Sequence, residues 1–335
     1  MGLIVLLRLK QKFRLVLGVI ATVLLSLHAV LGFAQGVDDP APLIEQDDAI
    51  KVSDHVHVIL DDSRWSVPNV GIIIGDKATL VIDTGLGLKN GKIVLEEVRK
   101  LSDNKRLYVA STHIHAEHDS GSGAFPQDAM MIRTSNQQQD IDEFGMSHAG
   151  RIAKRSKALE DILEGAFSRP ADVLCDNKCS IDLGGVTVTI QAAGTAHTSG
   201  DTIFFVEEEN VLFTGDVVMR RYPRLASPIS GPKHWLKAIE TVQSYDIDVL
   251  VPSHGRLGDA STVDTYKEYF LTIQSRVGEL LNEGVEPDEI AKRITTEIAP
   301  VVSDWKENGD RFIRSAVRRA IDEAAHTDNR LEIDT

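Results

Sequence analysis

The sequence predicts an α/β chain built as a four-layer αββα sandwich, two packed sheets with helices outside, followed by a C-terminal helical extension. Three observations carry this. Two stretches, one from Lys51 to Ala110 and one from Val186 to Val251, consist of short β-branched runs separated by turn residues. Each is followed by helical spacing, the pattern of two sheets whose outer faces are covered. From Ala260 onward the periodicity is helical throughout.

Taken in order, the chain begins with Arg8, Lys10, Lys12 and Arg14 ahead of the apolar run Leu15 to Leu27, then Gly32-Phe33-Ala34. Small residues at Gly32 and Ala34 predict a signal peptide over residues 1–34, cleaved after Ala34, and hence a periplasmic or secreted body. An uncleaved membrane anchor is the competing reading, because Leu15 to Phe33 is almost long enough to span a bilayer. Residues 35–50 are acidic and Pro-containing and read as a flexible leader. The main domain is expected over 51–259. Its first half offers strands at His55–Ile59, Val70–Ile74, Ala78–Ile82 and Arg106–Ala110, with a helix over Asn90–Leu101 from the spacing of Ile93, Val94, Val98 and Leu101. His55 and His57 alternate with valines and read as solvent-facing strand positions. Asn136–Leu163 is a polar, helix-compatible insertion with Gly145 and Gly150 as breaks, and its His148 is assigned no role. Further strands are expected at Val186–Ile190, Ile203–Val206, Val211–Phe213 and Val249–Val251. The region 260–335 divides into helices over Val263–Leu281, Pro287–Ile298 and Arg311–Ala325, to pack against the sandwich or to form a homodimer.

Hydrophobic residues make up 42% of the 335, enough for a large core, and the formal charge is −14. Loss of the four leading cations with the signal segment would take it to −18. So acidic a body excludes nucleic acid and anionic membrane surfaces as partners, whose phosphates repel it. A small-molecule substrate remains, with no stable membrane association after signal cleavage. Cys175 and Cys179, four residues apart in an exported chain, read as a local disulfide.

The chemistry concentrates at the ends of the apolar runs. Ser111–Gly123 places His113, His115, Glu117 and His118 within six residues, directly after Leu107–Ala110. His197 lies in the small-residue stretch Gly194–Asp201, Asp216 ends Val211–Asp216, and His254 follows Val249–Ser253. Neutral imidazole and carboxylate are the ligands that catalytic zinc accepts. The order His-x-His-x-acid-His, with these later stretches, resembles the metallo-β-lactamase superfamily from about Val52 to Gly255. The acid there is normally Asp and is Glu117 here.

The resemblance implies one or two Zn2+ per chain. His113, His115 and His197 would bind the first, Glu117, His118 and His254 the second, with Asp216 bridging and Asp83 of Asp-Thr-Gly supporting the loop. It also implies a hydrolase whose zinc-activated water attacks an ester, thioester, lactone, lactam or sulfate ester, with Glu117 and Asp216 as its catalytic carboxylates. The extra methylene of Glu117 adds about 1.5 Å of reach, so either the loop shifts or the second metal is weakened. Asp119 is expected to point elsewhere. Asp216 in Thr-Gly-Asp resembles the glyoxalase-II, lactonase and sulfatase-like branches, with a true β-lactamase as an alternative. A sensor or binding protein that keeps the fold with weak or no catalysis is a further one. Arg220, with Arg221 and Arg224, is a candidate clamp for a substrate carboxylate, against the plainer reading of solvated arginines.

Overall fold

Strand pairing in the computed structural model, which describes residues 41–62, 64–219, 221–300, 302, 305 and 309–331, gives two sheets. The expected signal segment 1–34 and the expected substrate contact Arg220 lie outside the described residues. The first sheet runs in chain order, β1 (Ala49–Lys51), β2 (Val56–Ile59), β3 (Val70–Ile74) and β4 (Thr79–Ile82) being antiparallel neighbours. Helix α1 (Gly87–Leu101) then crosses over to β5 (Leu107–Ala110), which lies parallel to β4 and is followed by parallel β6 (Met130–Thr134) and β7 (Val173–Cys175). The second sheet holds β8 (Lys178–Asp182), β9 (Thr187–Gly194), β10 (Asp201–Val206) and β11 (Val211–Gly215), antiparallel in turn. Helix α6 (Pro232–Val242) crosses over to β12 (Val249–Pro252), parallel to β11.

The layers follow from which strand faces are apolar. Leu80, Ile82, Ala110 and Ile132 meet Val188, Phe204, Val211 and Phe213 between the sheets. At one point the sheets approach so closely that a Cβ on Gly71 would sit 2.4 Å from the Phe213 ring. The opposite faces are buried too: Val81, Val109 and Met131 lie under Val94 and Val98 of α1. Strands covered on both sides read as continuous apolar runs rather than alternating ones, and β4 and β11 are buried at every position. Ile203, Leu212 and Leu250 of the second sheet lie under Trp235 of α6 and under α7 (Ala260–Asn282), α8 (Pro287–Ile298) and α9 (Gly309–Leu331). The C-terminal helices therefore complete the sandwich's fourth layer.

The polar insertion folds into α3 (Ser135–Phe144), α4 (Ser147–Ala153) and α5 (Lys157–Ile162), after a one-turn α2 (Ala116–Asp119) in the histidine loop. Gly145, at φ +47°, ends α3 as expected. Gly150 does not act as a break; it lies inside α4, and the second break falls at Ser156, whose hydroxyl accepts from Leu159 N and caps α5. Ala149, Ile152, Leu159 and Ile162 bury themselves with Leu86 and with Ala116 of the histidine loop. In the leader, Ile44 is buried and its N donates to Asn90 Oδ1 at 2.8 Å. Cys175 and Cys179 form a disulfide, Cα–Cα 5.8 Å, which joins β7 at the edge of one sheet to β8 at the edge of the other.

Candidate metal centre

Two parallel strand pairs aim the chemistry at one rim. Pairing of Ile82 with Ala110 brings Asp83 beside the loop that starts at Ser111, and pairing of Gly215 with Pro252 brings Asp216 beside Ser253 and His254. His197 sits in the β9–β10 connection, closed by Asp201, which accepts from Thr198 N and Thr198 Oγ1. Gly215, at φ +59°, lies so close to Thr112 that a Cβ there would be 2.8 Å from its Cβ. That contact locks the Asp216 turn against the histidine loop.

All seven expected ligands meet there. His113, His115 and His197 form one trio and Glu117, His118 and His254 another, each with its ligand atoms within 4.8 Å of one another. Asp216 groups with His113 and His118, and its carboxylate also lies 3.4 Å from His197 Nε2 and 3.9 Å from His254 Nε2, so it reaches both trios. In the first trio His115 Nδ1 is 3.1 Å from His113 Nε2 and 2.9 Å from His197 Nε2. Ligand atoms about 2.0–2.1 Å from a tetrahedral ion are roughly 3.3 Å apart, so the spacing fits a cation.

The outward nitrogens fix the inward ones. His197 Nδ1 donates to Arg224 O (2.6 Å), His254 Nδ1 to Val67 O (3.0 Å) and His118 Nδ1 to Asp83 Oδ2 (2.9 Å). In the neutral ring each Nε2 lone pair is then turned toward the centre, the outer-shell arrangement of metal-binding histidines. Asp83 also accepts from Thr112 N and Ser253 Oγ, so one carboxylate ties three site segments together. His118 Nε2, Glu117 Oε2 and Asp216 Oδ1 are buried with no hydrogen-bond partner. Orphaned polar atoms of this kind are costly unless something binds them, and the donor set suits a divalent cation.

Charge distribution agrees. Burial and the surrounding imidazoles push His113 and His115 well below the usual histidine range, leaving lone pairs free. Burial alone would raise Asp216, but His197, His254 and His118 outweigh it and hold the carboxyl down at about 2. Burial likewise works against ionised Glu117, and His148 and His118 overcome it. For His118 burial is outweighed by Asp83, which lifts the ring to about 9, so a cation entering there releases a proton.

Asp119 does point away. Its Oδ1 accepts from Arg133 Nη2 (2.7 Å) and from Ser111 Oγ (2.5 Å) in a fully buried pair behind the loop. His55 pairs with Glu209 at 2.7 Å, and His57 is half-buried on β2; neither belongs to the cluster. His148 is the residue that sequence reasoning missed. Its ring stacks on His115 at 3.9 Å, its Nδ1 accepts from Ala116 N at 3.1 Å, and it lies 3.5 Å from Glu117 Oε2. A cavity of ≈ 270 Å³ opens over the cluster, with Arg151, Arg155, Arg221 and Arg224 in its walls.

Comparison with known proteins agrees with this geometry. Residues 63–254 match the family model for the metallo-beta-lactamase superfamily. Among curated relatives, a linear primary-alkylsulfatase from Pseudomonas sp. is 22% identical over 261 residues, and a lactamase-like protein from Emericella nidulans is 23% identical over 217. The alignments cover 67% and 64% of this chain but only 49% and 59% of those proteins, so the chain spans about half the length of the relatives it matches. A solved sec-alkylsulfatase from Pseudomonas sp. superposes with TM-score 0.62 at 16% identity, over 82% of this chain and 50% of its own. A metallo-beta-lactamase from Pontibacter korlensis superposes with TM-score 0.54 at 19% identity, over 67% of this chain and 98% of its own.

Proposed function

Because the chain belongs to the metallo-beta-lactamase superfamily, we propose that it is an exported, zinc-dependent hydrolase of an ester, thioester, lactone, lactam or sulfate ester. The single observation that carries this is the convergence of two ligand trios on one rim, with Asp216 between them. His113, His115 and His197 would hold one cation, and Glu117, His118 and His254 a second. Cations bound there supply Lewis acidity, polarising the scissile group and lowering the pKa of water. The chain's own part is to orient and to move protons. Asp216, ionised at any working pH, and Glu117 accept hydrogen bonds from the attacking water and align it with the scissile atom. The water's oxygen forms the new bond, one of its protons passes to a carboxylate, and the leaving group departs with a proton in turn. Asp83, Val67 O and Arg224 O hold the three rings so that this alignment persists between turnovers. Both cysteines are in the disulfide, so no thiol nucleophile competes with water.

The disulfide is consistent with an oxidising compartment, and the leading basic-apolar segment motivates export. Among the described residues no helix is long and apolar enough to cross a membrane. The name of the alkylsulfatase relative favours the sulfate ester among the candidate bonds. A second reading, a binding or sensing protein with weak chemistry, is motivated by Glu117 in place of Asp and by the insertion at the cleft. A panel of aryl esters, thioesters, lactones, aryl and alkyl sulfates and chromogenic lactams separates the two. Turnover that His115→Ala abolishes supports the hydrolase and rejects the sensor. Tight binding of a panel member without turnover supports the sensor and rejects the hydrolase, and turnover of the lactam alone would make the protein a β-lactamase.

A further inference from the structure

Helix α4 brings to the metal cluster a chemistry that the ligand set does not contain. His148, Arg151 and Arg155 are spaced three and four residues apart along α4 and the turn after it, so they share one face. All three line the ≈ 270 Å³ cavity over the cluster. The adjoining face is fixed, since Ala149 and Ile152 are buried against Ala116 of the histidine loop. Arg151 and Arg155 are themselves exposed, so they border the open mouth of the cavity on a helix whose position that packing fixes. The Arg155 guanidinium lies 5.2 Å over the ring of Trp65, which also lines the cavity and holds the cation on a flat platform.

Charge is the unexplained part. The chain has 50 acidic residues against 36 basic ones, yet among the described residues neither Arg151 nor Arg155 has a carboxylate partner. With cations in the adjacent trios, the two exposed guanidinium groups at the cavity mouth add to a positive field that favours an anion there. Guanidinium pairs bind carboxylate and sulfate oxygens through parallel N–H bonds. We propose that Arg151 and Arg155 form an oxyanion subsite that selects substrates carrying a carboxylate or sulfate group. The proposal rests on the hydrolase reading and assigns its substrate class.

Three 4-nitrophenyl compounds test it: the neutral butyrate ester, the monoglutarate ester with its free carboxylate, and the sulfate. The zinc-loaded full chain is compared with the double variants Arg151→Ala/Arg155→Ala and Arg151→Lys/Arg155→Lys. The expected result is a fall of roughly 10- to 100-fold in the kcat/KM ratio of an anionic substrate over the neutral ester, as for loss of charged hydrogen bonds. The fall should appear chiefly in KM, and the lysine variant should recover part of it. A fall for the glutarate ester places the oxyanion away from the scissile bond, and one for the sulfate alone places it at that bond; both support the subsite. Unchanged ratios for both overturn it. If none of the three is turned over, the wider panel still decides the hydrolase reading, and calorimetry with glutarate decides the subsite. Binding lost in the alanine variant supports it; no binding, or equal binding by both proteins, overturns it.

Discussion

Glu117 reaches about 1.5 Å further than an aspartate at the same place, and from α2 its carboxylate still meets His118 and His254. Its Oε2 is buried without a hydrogen bond, lies 3.5 Å from His148 Nδ1, and groups with His118 and His254. Shortening the arm withdraws the oxygen from that trio. Glu117→Asp is therefore expected to weaken the second cation and to lower turnover about 10- to 100-fold, the range seen when a ligand's surroundings are disturbed. Zinc titration against a chromogenic chelator, run beside the rate, checks this; a rise in both affinity and rate would recast Glu117 as partial loss of the site. Asp83 acts one step further out, because it sets the His118 tautomer and pins Thr112 and Ser253. Asp83→Asn should cost zinc affinity in the second trio by a comparable factor while the first trio stays loaded, read by the same titration. At this scale the sequence was most informative. Side chains just beyond the strand ends are legible as one rim, and the seven residues so chosen lie together there.

Elements were legible where their apolar period was unbroken and obscure where chemistry interrupts it. Met130–Thr134 escaped notice as a strand because Arg133, fully buried against Asp119, breaks its apolar run. Edge strand Lys178–Asp182 is half-exposed and carries little apolar signal. Helix α6 was overlooked although Pro232 opens it and Trp235, Ala238, Ile239 and Val242 keep helical spacing. His148 was passed over for a physical reason: its neighbours are polar, and only the packing of Ala149 and Ile152 on Ala116 turns it toward His115. Asp140 on α3 accepts from Gly200 N at 2.7 Å, and burial raises its carboxyl to about 6 against an ordinary 3.8. A carboxyl raised on folding stabilises fully below its unfolded value and loses that contribution as pH rises through the folded one. Wild-type stability relative to Asp140→Asn should thus fall between about pH 4 and 6, checked by urea unfolding across that range; a flat difference would contradict it. The Cys175–Cys179 bridge closes a short loop, and its removal in Cys175→Ala/Cys179→Ala should cost roughly 2 kcal/mol without changing zinc content. Denaturant midpoints with metal analysis decide.

Across the whole molecule, the C-terminal helices and the catalytic rim are one body. Tyr222 lines the cavity and packs against Trp305 and Phe312, Arg224 lies 5.4 Å over the Phe312 ring, and Tyr266 OH donates to Arg221 O. Chain truncated after residue 259 would expose Ile203, Leu212, Leu250 and Trp235, so it is expected to lack a cooperative melt. A folded, active truncation product, seen by circular dichroism and turnover, would contradict this. The helical region was readable as helices from its period, but its partner was not, since an apolar helix face does not name what it covers. Seven side chains carried by both sheets would together hold the zinc. Zinc per chain, measured by plasma mass spectrometry on protein prepared with zinc present, tests this most directly. One to two equivalents are expected, lost on chelation together with hydrolysis. Less than half an equivalent in folded protein would contradict it.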